Sequence, residues 1–131
     1  MSFKEQYGPN VAVIGASSNR ERYSNKAVRA FRKEGYNVYP VNPKETQVEN
    51  LRCYPSLAEI PTQIDFVSVY LNPEISMKTD LPAQIKENLI KAAILNPGAE
   101  SQELIASLKE KGIETLMICS IVSLGHTPQE F

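Results

Sequence analysis

Residues 11–44 read VAVIGASSNRERYSNKAVRAFRKEGYNVYPVNPK, and this stretch decides the fold. Val11–Ile14 is a short, continuous apolar run rich in β-branched residues, the pattern of a strand buried on both faces by flanking helices. Ser24 can cap the helix that follows, Ala27, Ala30 and Phe31 recur along it at helical spacing, and Gly35 supplies the left-handed residue that ends it. Val38–Val41 is a second strand. Together these segments make a strand–helix–strand unit of about 30 residues, which requires a parallel pair.

The same alternation continues outward. Phe66–Tyr70, Ala92–Leu95 and Thr115–Ile118 read as three more strands, the last as unbroken in its hydrophobicity as the first. Leu81, Ile85 and Leu89 fall at i, i+4 and i+8, with Pro82 tolerable in a first helical turn. Glu100 and Glu103 precede Leu104, Ile105 and Leu108, and Lys109, Lys111 and Gly112 close that helix in agreement with its dipole. Ser56–Ile60, bracketed by Pro55 and Pro61, reads as one short helical turn. Right-handed crossovers then leave an α/β architecture of three layers, a doubly wound Rossmann-like fold around a five-stranded parallel sheet in the order 3-2-1-4-5.

Composition narrows the function classes. The 131 residues suit one domain, residues 1–131, with a core over about 9–120 and residues 123–131 as a loose tail or an oligomer contact. Fourteen Lys+Arg against fifteen Asp+Glu give a net charge of −1, so no broad surface for nucleic acid or an anionic membrane is expected, whereas a small local phosphate site is compatible. No apolar run approaches the roughly 20 residues of a membrane span, and MSFKEQYGPN lacks a signal peptide's apolar core, so a cytoplasmic location is expected. Two separated cysteines, Cys53 and Cys119, and one histidine, His126, form neither a disulfide framework nor a zinc motif, and no metal site is expected. An edge strand and the apolar Ile121, Val122 and Leu124 make a homodimer the expected assembly, if there is one.

In a doubly wound sheet, ligands bind beyond the carboxyl ends of the strands where the strand order reverses. Four loops should converge there: Gly15-Ala16-Ser17-Ser18-Asn19-Arg20, Asn42-Pro43-Lys44, Leu71-Asn72-Pro73 and Asn96-Pro97-Gly98. The first keeps only one glycine of the G-x-G-x-x-G pattern, with Ser17 and Arg20 at the other two positions. Its backbone amides and the Ser17, Ser18 and Asn19 side chains can surround a phosphate at a helix N-terminus, and Arg20, Arg22 and Lys26 can add charge-assisted contacts. An NAD-binding fold ends its second strand with a carboxylate for the ribose diol, but here Val41 leads into Asn42, Pro43 and Lys44. A lysine in place of the acid suits a phosphorylated ribose, so NADP and coenzyme A are the two candidates.

VAVIGASSNRERYSNKAV, GYNVYPVNPK, CYPSLAEIP, DFVSVYLNP and LNPGAESQE together resemble the small stand-alone coenzyme A-binding domain proteins, relatives of the N-terminal domain of the succinyl-CoA synthetase α subunit. The resemblance covers about residues 9–120. It implies a Rossmann-like domain that binds CoA or an acyl-CoA in extended form. Gly15, Ala16, Ser17 and Asn19 would meet the diphosphate, with Arg22 and Ser24 in the R-x-S step that follows. Val41, Asn42, Pro43 and Lys44 would meet the adenosine and its 3′-phosphate. Tyr70, Leu71, Asn72 and Pro73 would line the adenine and pantetheine path, and Asn96, Pro97 and Gly98 would lie near the pantetheine arm. Two segments depart from the family pattern: LNPGAES replaces a glutamine- and glycine-containing version, and Ile118-Cys119-Ser120 stands where relatives carry Asp-Arg-Cys.

Catalytic residues are not evident. An acyl-CoA synthetase needs a phosphorylatable histidine and nucleotide-grasp domains, whereas His126 reads as a lone exposed histidine with no carboxylate partner. Glu59 and Asp65 read as structural, and Cys53 as packing. Cys119, at the carboxyl end of the fifth strand, is the one candidate contact for the CoA thiol, against the plainer reading of a buried, inert thiol. A binding module is therefore the expected function. The alternatives are an NADP-dependent reductase or other nucleotide-using enzyme, and a ligand-sensing or signalling domain of flavodoxin-like topology, which would carry an aspartate where Asn72 stands.

Overall fold

The computed structural model describes residues 1–131. Along the chain its elements are α1 (Phe3–Gln6), β1 (Asn10–Ile14), α2 (Tyr23–Lys33), β2 (Asn37–Val41), β3 (Gln47–Val48), β4 (Leu51–Arg52), β5 (Phe66–Val69), α3 (Pro73–Lys78), α4 (Leu81–Glu87), β6 (Ala92–Leu95), α5 (Gln102–Glu110), β7 (Glu114–Leu116) and α6 (Ser120–Ser123). Single 3₁₀ turns lie at Leu57–Glu59 and Pro128–Glu130.

β1, β2, β5, β6 and β7 form one parallel sheet. Alternate residues of β1 point to opposite faces, and both faces are covered, which is why its sequence is apolar without interruption. Val11 and Val13 join Phe31 of α2 and Ile121 of α6 in one core, while Ala12 and Ile14 join Ile85 of α4 and Leu104 and Leu108 of α5 in the other. The first core is aromatic at one end: Phe31 lies 5.9 Å from Phe66 and 5.2 Å from Tyr36 between ring centroids, and Phe3 closes on Phe66 at 5.4 Å. Phe3 sits on α1, a helix the sequence reading did not anticipate, started by a capping box between Ser2 and Glu5.

The spatial order of the five strands is β2-β1-β5-β6-β7. The third long strand, β5, therefore pairs with β1 and not with the outer side of β2. That outer position is taken by a rudiment: Tyr54 makes a single parallel bridge to Val41, its N–H donating to Pro40 O and its carbonyl accepting from Asn42 N, both at 2.9 Å. Counting that rudiment as the third strand restores the expected run 3-2-1-4-5, with β7 as a sixth. Pro43, Pro55 and Pro61 keep the segment between β2 and β5 from forming a full strand or a long helix, so it folds instead as the β3–β4 hairpin and one 3₁₀ turn.

Four local expectations are corrected. β7 lies at the sheet edge, so its residues are exposed or half-buried and not covered on both faces. Ser24 does not cap α2: Arg22 occupies the cap, with no side-chain hydrogen bond, and Ser24 is buried one residue inside the helix. Leu89 is exposed, because α4 ends at Glu87 and Leu89 takes a left-handed φ of 56°, leaving the buried role to Ile90. Residues 123–131 run back along α2, with none of them fully buried. His126 contacts Glu34, the C-cap of α2, through Nε2 at 2.8 Å and Glu130 through Nδ1 at 2.7 Å, and its side chain is only 12% exposed. Phe131 lies beneath Arg29 and Lys33. His126 is thus neither exposed nor without carboxylate partners.

Candidate functional site

The carboxyl ends of β1, β2, β5 and β6 bring the four expected loops to one rim of the sheet. The crossover from β1 runs through α2 on one face and that from β5 through α3 and α4 toward the other, so the crevice between β1 and β5 is the switch point.

Gly15 turns the chain off β1 with φ of +83°, and a Cβ there would stand 3.0 Å from Leu71 Cδ2 and 3.3 Å from the Tyr70 carbonyl carbon. Only glycine combines that conformation with that approach. The first two loops are locked together. Gly15 N and Ala16 N both donate to Val41 O, at 2.9 and 3.2 Å, and Asn42 Nδ2 donates to Ala16 O at 2.7 Å. Asn42 Oδ1 accepts from Lys44 N at 2.9 Å, which fixes the turn that presents Lys44. Lys44 is exposed and belongs to none of the ion pairs of the fold, so its charge is free for a ligand.

The rest of the first loop is held by side chains. Ser17 Oγ accepts from Asn19 N, and Asn19 Oδ1 from Glu21 N, each at 3.0 Å. Asn25, fully buried, donates to Ser17 O at 2.9 Å and to Glu49 Oε2 at 3.1 Å, and accepts from Arg29 Nε at 2.8 Å. Arg29 Nη2 in turn donates to Arg20 O at 2.7 Å. Burial, reinforced by the charge of Arg20, lowers the Arg29 pKa from its ordinary value. Asn25 and Arg29 were missed by the sequence reading. The available signal was a polar Asn25 three residues before Val28, on the stripe that α2 buries.

Two cationic or donor groups of this loop already face carboxylates. Ser18 donates through both its N–H and its Oγ to Glu45, the latter at 2.8 Å, and Arg20 Nε lies 3.3 Å from Glu49 Oε2. Arg22 is exposed, and the Lys26 ammonium lies 5.6 Å from the centroid of the Tyr23 ring.

On the other side, Asn72 Oδ1 accepts from Glu74 N at 2.8 Å and Pro73 opens α3. Asn96 is 1% exposed and makes a buried tie: Nδ2 donates to Ser68 Oγ at 2.9 Å and Val69 O at 3.0 Å, and Oδ1 accepts from Ser120 N at 2.8 Å. Ser68 and Ser120 complete it, oxygen to oxygen, at 2.8 Å. Asn96 thus joins the ends of β5 and β6 to the start of α6, while Pro97 and Gly98 remain exposed. The Tyr70 hydroxyl is buried without a partner; burial and the neighbouring Cys119 push its pKa above the ordinary value for a phenol. Cys119 is half-buried against the α2 core, and Cys53 is buried, donating to Asn42 O at 3.7 Å, its pKa raised by burial.

Asp65 lies at the opposite end of the sheet, accepting from Asn10 N at 2.9 Å, in the structural role expected of it. A cavity of about 470 Å³ between α1 and the β7 edge, lined by Phe3, Tyr36, Leu116, Ile118 and Leu124, includes no residue of the four loops. No helix is long and apolar enough to cross a membrane.

Comparison with known proteins points the same way. A family model described as a CoA binding domain matches residues 9–125. The chain is 31% identical over 110 residues to acetate–CoA ligase (ADP-forming) II of Archaeoglobus fulgidus, a match covering 82% of this chain but only 15% of that protein. It is 31% identical over 124 residues to the uncharacterized protein YneT of Bacillus subtilis, covering 92% of this chain and 87% of that one. A solved structure of a hypothetical protein from Pyrococcus horikoshii OT3 superposes with a TM-score of 0.84 at 28% identity, covering 91% of this chain and 82% of that one. These matches support coenzyme A and lend nothing to the NADP alternative.

Proposed function

The chain belongs to the CoA binding domain family, and from that premise we propose that it is a binding module that holds coenzyme A or an acyl-CoA across the carboxyl ends of β1, β2, β5 and β6. The observation that carries the reading is the lock between the first two loops. Val41 O and Asn42 Nδ2 bind the backbone of Gly15 and Ala16, so a diphosphate on the first loop and a ribose phosphate at Lys44 would be recognised by one rigid unit.

In this reading the amides and side chains of Ser17, Ser18 and Asn19 take the diphosphate, with Arg20, Arg22 and Lys26 supplying charge from the start of α2. Asn42, Pro43 and Lys44 take the adenosine and its 3′-phosphate. Tyr70, Leu71, Asn72, Pro73, Pro97 and Gly98 line the path of the pantetheine arm toward Cys119. Ser24, Val41 and Asn96 are buried, so they shape this cradle from beneath.

CoA should raise the unfolding temperature in a saturable way, by mass action on the folded state. 3′-Dephospho-CoA, or CoA with Lys44→Ala, should bind about tenfold more weakly, the loss expected when one charge-assisted contact is removed. Stabilisation by NADP but not by CoA would refute the reading.

A further inference from the structure

We propose that Glu45 is an internal competitor for the phosphate position of the first loop, so that ligand binding proceeds by displacing its carboxylate from Ser18. The inference rests on the CoA reading and deepens it. Ser18 offers a backbone N–H and a hydroxyl, the donor pair that the loop would present to a phosphate oxygen, and both are spent on Glu45. A carboxylate and a phosphate compete for such donors because each is an anion with paired acceptor oxygens.

The two acids that reach this loop are not equivalent. Glu49 is anchored: its Oε2 also accepts from the buried Asn25, and its carbonyl accepts from Arg32 Nη1 at 2.8 Å. Its carboxylate is largely covered, at 17% side-chain exposure. The Glu45 side chain has Ser18 as its one hydrogen-bonding residue. It stands one residue from Lys44, on the loop that carries the second phosphate contact of the proposed ligand. Glu45 can therefore swing away at the loss of its Ser18 contact alone, while Glu49 keeps Arg20 and the hairpin in place.

A carboxylate left beside a diphosphate also repels it, weakly through water at exposed distances. The consequence is selectivity: a ligand has to bring enough negative charge to displace Glu45 from Ser18, which a diphosphate does and a neutral or singly charged group does not.

The test compares the wild-type protein with Glu45→Gln and Glu45→Ala, titrated with CoA and, separately, with inorganic pyrophosphate. Both variants should bind each ligand about tenfold more tightly, with apo unfolding temperatures lowered by only a few degrees through loss of the Ser18 contact. Glu49→Gln should lower apo stability without tightening binding. Unchanged or weaker CoA binding in the Glu45 variants would overturn the inference and leave the CoA reading standing. Tighter pyrophosphate binding without CoA binding in any protein would overturn the CoA reading and leave the competition standing. No gain for either ligand would overturn the competition outright.

Discussion

Replacing Asn96 by alanine tests whether the buried tie at the rim of the site holds the fold there. The Asn96 amide makes three hydrogen bonds, two from Nδ2 and one to Oδ1, in a place only 1% exposed. Alanine removes all three and leaves the Ser120 N–H buried without a partner, at a cost of about 1–3 kcal/mol. Val69 O keeps the backbone bond from Asn96 N, at 3.3 Å, and Ser68 Oγ keeps Ser120, so those groups are not orphaned and each lost bond counts for about 1 kcal/mol or less. The total is about 3 kcal/mol, a large share of the stability of a domain this size. With a urea slope near 2 kcal/mol/M, the midpoint should fall by roughly 1.5 M at constant slope. Ser120→Ala, which removes only the hydroxyl contact, should cost about 1 kcal/mol. A loss below about 1 kcal/mol for Asn96→Ala, or one no larger than that of Ser120→Ala, would refute this account of the tie.

Gly15→Ala should cost about 2 kcal/mol, from the left-handed conformation at φ +83° and the contact with Leu71, measured by denaturant unfolding. The coupling of the tail to α2 should depend on pH. His126 has its pKa raised above 6.5, first by the hydrogen bond to Glu34 and then by Glu130, and Glu130 has its own lowered below 4.5 by His126. The histidine contribution is complete below pH 6.5 and is lost as pH rises through the raised value; the Glu130 contribution is complete above pH 4.5 and is lost as pH falls through the lowered one. Hydrogen exchange of residues 123–131 should therefore be slowest, relative to intrinsic rates, between those limits, and His126→Ala should abolish the loss at high pH and weaken the loss at low pH, where the Thr127 N–H still holds Glu130. Oxidised CoA should form a mixed disulfide with the Cys119 thiolate, releasing one CoA thiol, and intact mass should show the adduct lost in Cys119→Ser. An unmodified wild-type protein would leave Cys119 as packing.

The amino-acid sequence by itself determined the parallel sheet and the end at which its four loops gather. A run such as Val11–Ile14 can be apolar throughout only if both faces are covered, and Gly15 and Gly35 mark turns that local sterics dictate. The loops that meet at the rim follow from that topology. The position of β5 beside β1 was not legible, because hydrophobic periodicity is a property of one segment and neighbour order depends on what its connections can cover. Asn96 read as a ligand contact, and only the packing of β5, β6 and α6 showed its amide spent on Ser68, Val69 and Ser120. The partners Ser18 and Glu45, 27 residues apart, and His126 and Glu34, 92 apart, leave no local pattern in the chain. Their hydrogen bonds exist because the tertiary structure brings distant charges and donors within reach, and that decided which groups of the site are free and which are already engaged.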